Sequence, residues 1–280
     1  MDSKLSEFFS YSTNLKKDWK EIVVNQQCKY LSRKCVKSRK SLPHISLGTC
    51  TVRYDKGEND IIICPHRLLH GKKIFMDCIH LLSLHEPGNE IHLVPETSIP
   101  GGSVDYFLTS VSKGKVIDFV GIELQTMDTT GTVWNERQKF LNSKKIEVKK
   151  EDLVKKNFGI NWKMTAKTIL IQLHHKIDTF ENLGKHLVLV SQDCLLNYMK
   201  KEFSFVDVGS AKLGNSMHFH SYSLEKQEDK TYKLDLVERL STDSEGLAKS
   251  LGLKAEANIE LDEILLKLQA KISQNTLLTI

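Results

Sequence analysis

No apolar run in this 280-residue chain approaches the length of a membrane-spanning helix. That excludes a helical integral membrane protein as the expected class. The opening residues, Met1 to Glu7, are mostly polar and lack the basic-then-apolar order of a secretory signal. The expected compartment is therefore cytoplasmic, where disulfides are rare and cysteines stay as thiols or bind metal. No Cys-x-x-Cys pair occurs, so the close ligand pairs of ordinary zinc ribbons are missing. Internal repeats and low-complexity linkers are absent too, which leaves one large domain or a domain plus a small module. Strong net charge is also lacking. The balance is +5, with a pI near 8.7, a bias too mild to indicate nucleic acid by itself.

What is present begins with two apolar segments that carry acid where strands usually carry Val or Ile. They are Gly101-Gly102-Ser103-Val104-Asp105-Tyr106-Phe107-Leu108 and Val116-Ile117-Asp118-Phe119-Val120-Gly121-Ile122-Glu123-Leu124-Gln125. A Lys113-Gly114-Lys115 turn joins them, which predicts a hairpin or short meander. Glu123 and Gln125 are two residues apart and share one face of a strand. Adjacent strands then set the carboxylates of Asp105 and Glu123 side by side, where they repel unless a cation lies between them. Such a pair suits Mg²⁺, which takes one or two carboxylates and meets substrate phosphates. The plainer alternative is that Glu123 and Gln125 face water while Val120, Ile122 and Leu124 face the core.

The order acid, short connection, acid-x-polar is that of the PD-(D/E)XK nuclease core. The run Ile122-Glu123-Leu124-Gln125-Thr126-Met127-Asp128 resembles the E-I-Q-T-M-D segment of the NotI-type restriction endonucleases. The segment Val104-Asp105-Tyr106-Phe107-Leu108 resembles the strand carrying that family's first Asp. The resemblance implies Asp105 and Glu123 as ligands of a catalytic Mg²⁺, with Gln125 at the position of the motif's Lys. A Gln there hydrogen-bonds and carries no charge, so Gln125 is expected to position water or phosphate.

Four of the six cysteines, Cys28, Cys35, Cys50 and Cys64, fall in the first quarter, spaced C-x6-C-x14-C-x13-C. Gly48-Thr49-Cys50 and Ile61-Ile62-Ile63-Cys64-Pro65 flank a polar stretch too poor in apolar residues to hold itself together. A tetrathiolate metal would supply that constraint; four separate buried cysteines are the alternative. The G-x-C and I-C-P-x-R-L segments resemble the four-cysteine module of the same family. This resemblance implies one structural iron; tetrahedral thiolate ligation by itself does not separate iron from zinc. His44 and His66 are substitute ligands or ordinary surface residues.

From Lys29 to Lys40 six basic residues occur with no acid: Lys29, Arg33, Lys34, Lys37, Arg39 and Lys40. Such a patch neutralises backbone phosphates, or it is a solvated face. Helices are predicted over 15–27, 67–84 and 161–176, the last with apolar residues at Ala166, Ile169, Leu170 and Leu173. In that last helix Lys167 and Gln172 reach toward DNA or, with Lys163 and Lys176, solvate an exposed face; His174 and His175 face solvent. Residues 134–156 are read as a loop with an exposed helix. Strands are predicted over 91–94, 104–111, 116–125 and 187–190, and 203–232 as polar and β-rich. Leu261, Leu265, Leu268 and Ile272 form a stripe that docks on the domain or on a second copy.

The expected fold is α/β (α+β), a nuclease core with a mixed central sheet flanked by helices. It is divided into a metal module over 1–70 and a nuclease domain over 71–280. The expected function is Mg-dependent, site-specific cleavage of double-stranded DNA by a type II restriction endonuclease, acting as a homodimer beside a cognate DNA methyltransferase. A nonspecific repair or phage-defence nuclease, and a non-catalytic metal-stabilised DNA-binding protein, are the alternatives.

Overall fold

A computed structural model describes residues 3–54, 59–153 and 158–253, together with Leu266 and Ala270. The C-terminal stripe of Leu261, Leu265, Leu268 and Ile272 lies outside the described residues. Near the start, β1 (Leu5–Phe8), β2 (Tyr11–Ser12), β7 (Thr49–Tyr54) and β8 (Asn59–Ile62) form a sheet in the order β2-β1-β7-β8. Two short ladders lie between β2 and β7. One pairs β3 (Gln27–Cys28) with β4 (Arg33–Lys34), the other β5 (Ser38–Arg39) with β6 (Leu42–Ser46). The first helix, α1 (Trp19–Asn25), is shorter than expected because Asp18 caps it, accepting from the N–H groups of Lys20 and Glu21.

The predicted helix over 67–84 is broken. It becomes a 3-10 stretch at Pro65–Lys72, then α2 (Lys73–Met76), then a 3-10 turn at Ile79–Leu81. The break falls at His70, which is extended, and at Gly71 and Lys72, which are left-handed with φ of 63° and 56°.

The main sheet contains β9 (Glu90–Ile99), β10 (Gly102–Ser112), β11 (Lys115–Gln125), β14 (His186–Gln192), β15 (Gly209–Ser210), β16 (Met217–Lys226) and β17 (Tyr232–Thr242). Their order is β15-β17-β16-β14-β11-β10-β9. The first three form an antiparallel meander, and β11, β14 and β16 run parallel. Parallel neighbours need a crossover. It is supplied by α4 (Trp162–Asn182) between β11 and β14, and by α5 (Asp193–Glu202) between β14 and β16. Every residue of β14 is buried, as a strand covered on both faces requires. This is a mixed α+β architecture with a large mixed sheet flanked by helices.

Alternation along the strands splits the core in two. Phe107, Leu187, Leu189, Met217 and Phe219 pack with Ile169, Leu173, Ile177 and Phe180 of α4. Leu108, Val120, Ile122, Val188 and Val190 pack with Leu68, Ile74, Phe75 and Leu81 on the other face. The first cluster also takes in Leu5, Phe8 and Val52, so apolar packing runs from the N-terminal strands into the main sheet. The remaining elements are α3 (Trp134–Ser143), the pair β12 (Thr129–Thr130) and β13 (Gly159–Ile160), and α6 (Ser244–Ser250). The exposed helix expected over 134–156 is instead mostly buried: Trp134, Asn135, Glu136, Arg137, Gln138, Phe140 and Leu141 of α3 are all inside. Its charged residues are partnered there, while the Trp134 Nε1 is left without a hydrogen-bond partner among the described residues. Glu136 accepts from the Lys4 N–H at 2.7 Å and pairs with Lys139, and Arg137 donates to the Leu47 carbonyl.

Candidate active site

The site is built where two strands part. β10 pairs with β11 from Ser112 opposite Lys115 to Tyr106 opposite Ile122, and goes no further. It stays paired with β9 down to Gly102. Asp105 lies just past the fork, and its side chain occupies the gap: Oδ2 accepts the Leu124 N–H at 2.8 Å. Glu123, on the other arm of the fork, is held by β14, where it pairs with Leu189.

Glu123 does not face water. It is 5% exposed, and Lys176 of α4, 6% exposed, donates to its Oε1 at 2.6 Å. Burial pushes the Glu123 carboxyl up to about 7; the Lys176 ammonium opposes that, and the nearby Asp105 carboxylate adds to it. The last relation places the two acids within each other's field. Gln125 closes β11, half-buried, with its Nε2 donating to the Thr126 carbonyl at 2.7 Å.

Lys176 is a correction. The helix-face reading set it in solvent with Lys163 and Lys167, which are exposed. Yet the stripe Ala166, Ile169, Leu170, Leu173 continues at its own spacing to Lys176, Ile177 and Phe180, all buried. That periodicity was the signal for a lysine turned inward. Gln172 and Lys167 stay exposed, as does His175.

Asp105 opens into a cleft of about 440 Å³ whose polar wall is Arg33, His66, Glu96 and Asp105. Glu96 comes from β9, between the pairs Val104–Thr97 and Tyr106–Pro95, and its φ is 41°. Nothing in the local sequence marks it; only strand pairing brings it beside Asp105. His66 titrates below its ordinary range, because burial and then the charges of Arg33 and Lys37 disfavour its cation, while Asp105 and Glu96 oppose them.

The basic run disperses. Arg33 enters the acid cleft, whereas Lys37 Nζ donates to the Ile63 carbonyl at 2.8 Å and Lys34 to that of His44. Arg39 lies over the Trp134 ring and Lys29 over that of Tyr11.

Among the described residues, no three His, Cys, Asp or Glu side chains form a metal-holding group. A Mg²⁺ that takes two carboxylates and completes its shell with water and phosphate needs no such trio, and the oxygens of Asp105 and Glu123 are of the donor type that ion takes. The four N-terminal thiols are all free. Three are buried and Cys35 is partly so, and they feel one another. Burial first, and then the charge of Cys64 and of Cys28, raises Cys50; Cys28 and Cys35 also act on Cys64. Burial raises Cys35 and Cys64 as well, and backbone N–H groups two residues on, at Lys37 and His66, oppose that. Thiolates with N–H partners are the chemistry a structural metal needs. His66 faces the acid cleft, and His44 is exposed. Cys194 is half-buried, and buried Cys78 lies 3.6 Å from His220 Nδ1.

Among the described residues, no helix is long and apolar enough to cross a membrane. No protein-family model, curated protein or solved structure matches this chain.

Proposed function

We propose that this protein is a Mg-dependent endonuclease of the PD-(D/E)XK type that cleaves double-stranded DNA at specific sites. The observation that carries the reading is the fork between β10 and β11, with Asp105 in the gap and Glu123 buried beside it. Asp105 lines a cleft that also presents Arg33, and Glu123, buried behind it, lies in its field; together they offer a cation and a phosphodiester a place to meet. When bound, Mg²⁺ would be held by Asp105 and Glu123 and would polarise phosphate and lower the pKa of a bound water.

The chain's own groups do the rest. Lys176 holds Glu123 in place and favours its ionised form. Gln125, at the end of the same strand, hydrogen-bonds water or phosphate without moving a proton. Arg33 offers a fork of donors to phosphate oxygens at the cleft mouth. Cys28, Cys35, Cys50 and Cys64 are read as ligands of one structural iron or zinc that fixes the β3–β4 turn, and with it Arg33. Two copies on a twofold-symmetric sequence would present one site to each strand.

Digestion of a large DNA of known sequence in Mg²⁺ tests the reading. Discrete fragments are expected from the wild type and none from Asp105→Asn or Glu123→Gln, while both variants still bind duplex in Ca²⁺. Fragments from either variant at the wild-type rate would overturn the site, and a featureless smear would overturn the sequence specificity.

A further inference from the structure

A second cavity, of about 490 Å³, lies across the β3–β4 turn from the acid cleft. The turn is shared: Leu31 and Arg33 line the acid cleft, while Lys29, Tyr30 and Ser32 line the second cavity. The segment after Cys64 is shared as well, with Pro65 and His66 on one side and His70 and Lys72 on the other. One wall therefore divides two openings.

The charge in this second cavity is one-sided. Lys17, Lys29 and Lys72 line it, all exposed. Among the described residues none of the three makes an ion pair. Lys17 and Lys29 both lie over the Tyr11 ring, at 5.4 and 4.0 Å, so two ammonium groups share one aromatic ring. The one acid in the wall, Glu7, is already engaged: Oε2 accepts from Arg67 Nε at 2.7 Å and from Thr51, and Oε1 accepts from the Tyr30 hydroxyl. Behind that wall Arg67 is fully buried, and its Nη1 has no partner. The buried Arg67–Glu7 pair adds no net charge, so the three unneutralised ammonium groups mark a seat for an anion with several oxygens. Hydroxyls of Ser12, Ser32 and Thr231 line the same space.

We propose that this cavity seats the phosphate of a nucleotide, supplied by the DNA strand whose scissile phosphate lies in the neighbouring acid cleft. The choice of the strand as source rests on the nuclease reading; the phosphate chemistry of the cavity does not. A strand crossing the β3–β4 turn would place one phosphate against Arg33 and a later one among Lys17, Lys29 and Lys72. Such a contact fixes the register of the strand and carries no base preference.

The test is Lys17→Ala/Lys72→Ala, which alters two exposed side chains, with circular dichroism as a fold check. Binding of a short fluorescein-labelled duplex in Ca²⁺ is measured against salt for the wild type and for this variant. In a second arm, calorimetry with deoxyadenosine monophosphate reads the cavity without DNA. The two substitutions, which together empty the seat of one phosphate, should lower the slope of log affinity against log salt by about 1. They should also weaken duplex binding by roughly tenfold or more at low salt. If duplex binding is unchanged but the mononucleotide binds the wild type and not the variant, a free nucleotide is the source. A variant that matches the wild type in both arms overturns the proposal. A wild type that binds no duplex overturns the nuclease reading, and the mononucleotide arm then decides the cavity alone.

Discussion

Glu123 and Asp118 are acids on the same strand with opposite fates. Asp118 is buried on the face away from α4. Burial pushes its carboxyl up, but a 2.5 Å hydrogen bond from Lys185 and the N–H groups of Leu84 and Phe119 outweigh that and hold it below the usual range. It is fully partnered and structural. Among the described residues Glu123 has one ammonium and no N–H partner, so burial wins and its carboxyl rises to about 7. A carboxyl must ionise to hold a cation, so cleavage should climb as pH rises through about 7. Lys176→Met removes the group that favours ionisation. The midpoint of the pH–rate profile should then move to higher pH, with the rate partly recovered in alkaline buffer. Lys176→Arg should restore the wild-type midpoint. A Lys176→Met profile that keeps the wild-type midpoint would assign Lys176 to packing alone.

At the scale of elements, the site depends on how closely α4 can approach the β9–β10 turn. Gly101 has φ of 92°, and a Cβ there would lie 1.9 Å from the His175 carbonyl oxygen. That oxygen is backbone and cannot step aside. Gly102 follows, where a Cβ would meet the Lys176 side chain at 3.1 Å. The Gly-Gly turn therefore lets α4 come near enough for Lys176 to reach Glu123. Gly101→Ala should cost roughly 2 kcal/mol or more in urea unfolding, from a left-handed φ and a backbone clash together. It should also shift the pH–rate midpoint in the direction of Lys176→Met, because the ammonium is carried away from Glu123. Unfolding and pH profile both unchanged would refute this account. Gly121 does similar work deeper in the sheet, where a Cβ would strike the Phe180 ring at 2.4 Å.

For the whole molecule, the proposed four-cysteine metal site bears on how residues 27–46 are held. β3 to β6 are short ladders of mostly exposed or half-buried residues, so little apolar burial fixes them. Purified protein should carry about one iron or zinc per chain, bound by four thiolates. Cys50→Ser and Cys64→Ser should lose that metal and solubility together, whereas Cys194→Ser should keep both. Elemental analysis that finds no transition metal in active protein would refute the module.

The amino-acid order by itself determined the strands of the meander, the crossover helix and the buried strand after it. Those elements rest on local periodicity: alternation in β10 and β11, 3–4 spacing in α4, and a continuous aliphatic run from Leu187 to Val190. It also singled out Asp105 and Glu123, because an acid in an apolar strand is costly and so conspicuous. Only the tertiary structure decided what those acids meet. Glu96 arrives through strand pairing and Lys176 through a helix packed across the sheet, 53 residues from its partner. The burial of α3 was hidden because its polar residues find their partners, Lys4 and Leu47, far away in the chain. The dispersal of the basic run was hidden likewise, since charge counted along a sequence has no direction. Local pattern sets the period of each element, whereas long-range contacts set which side chains face one another.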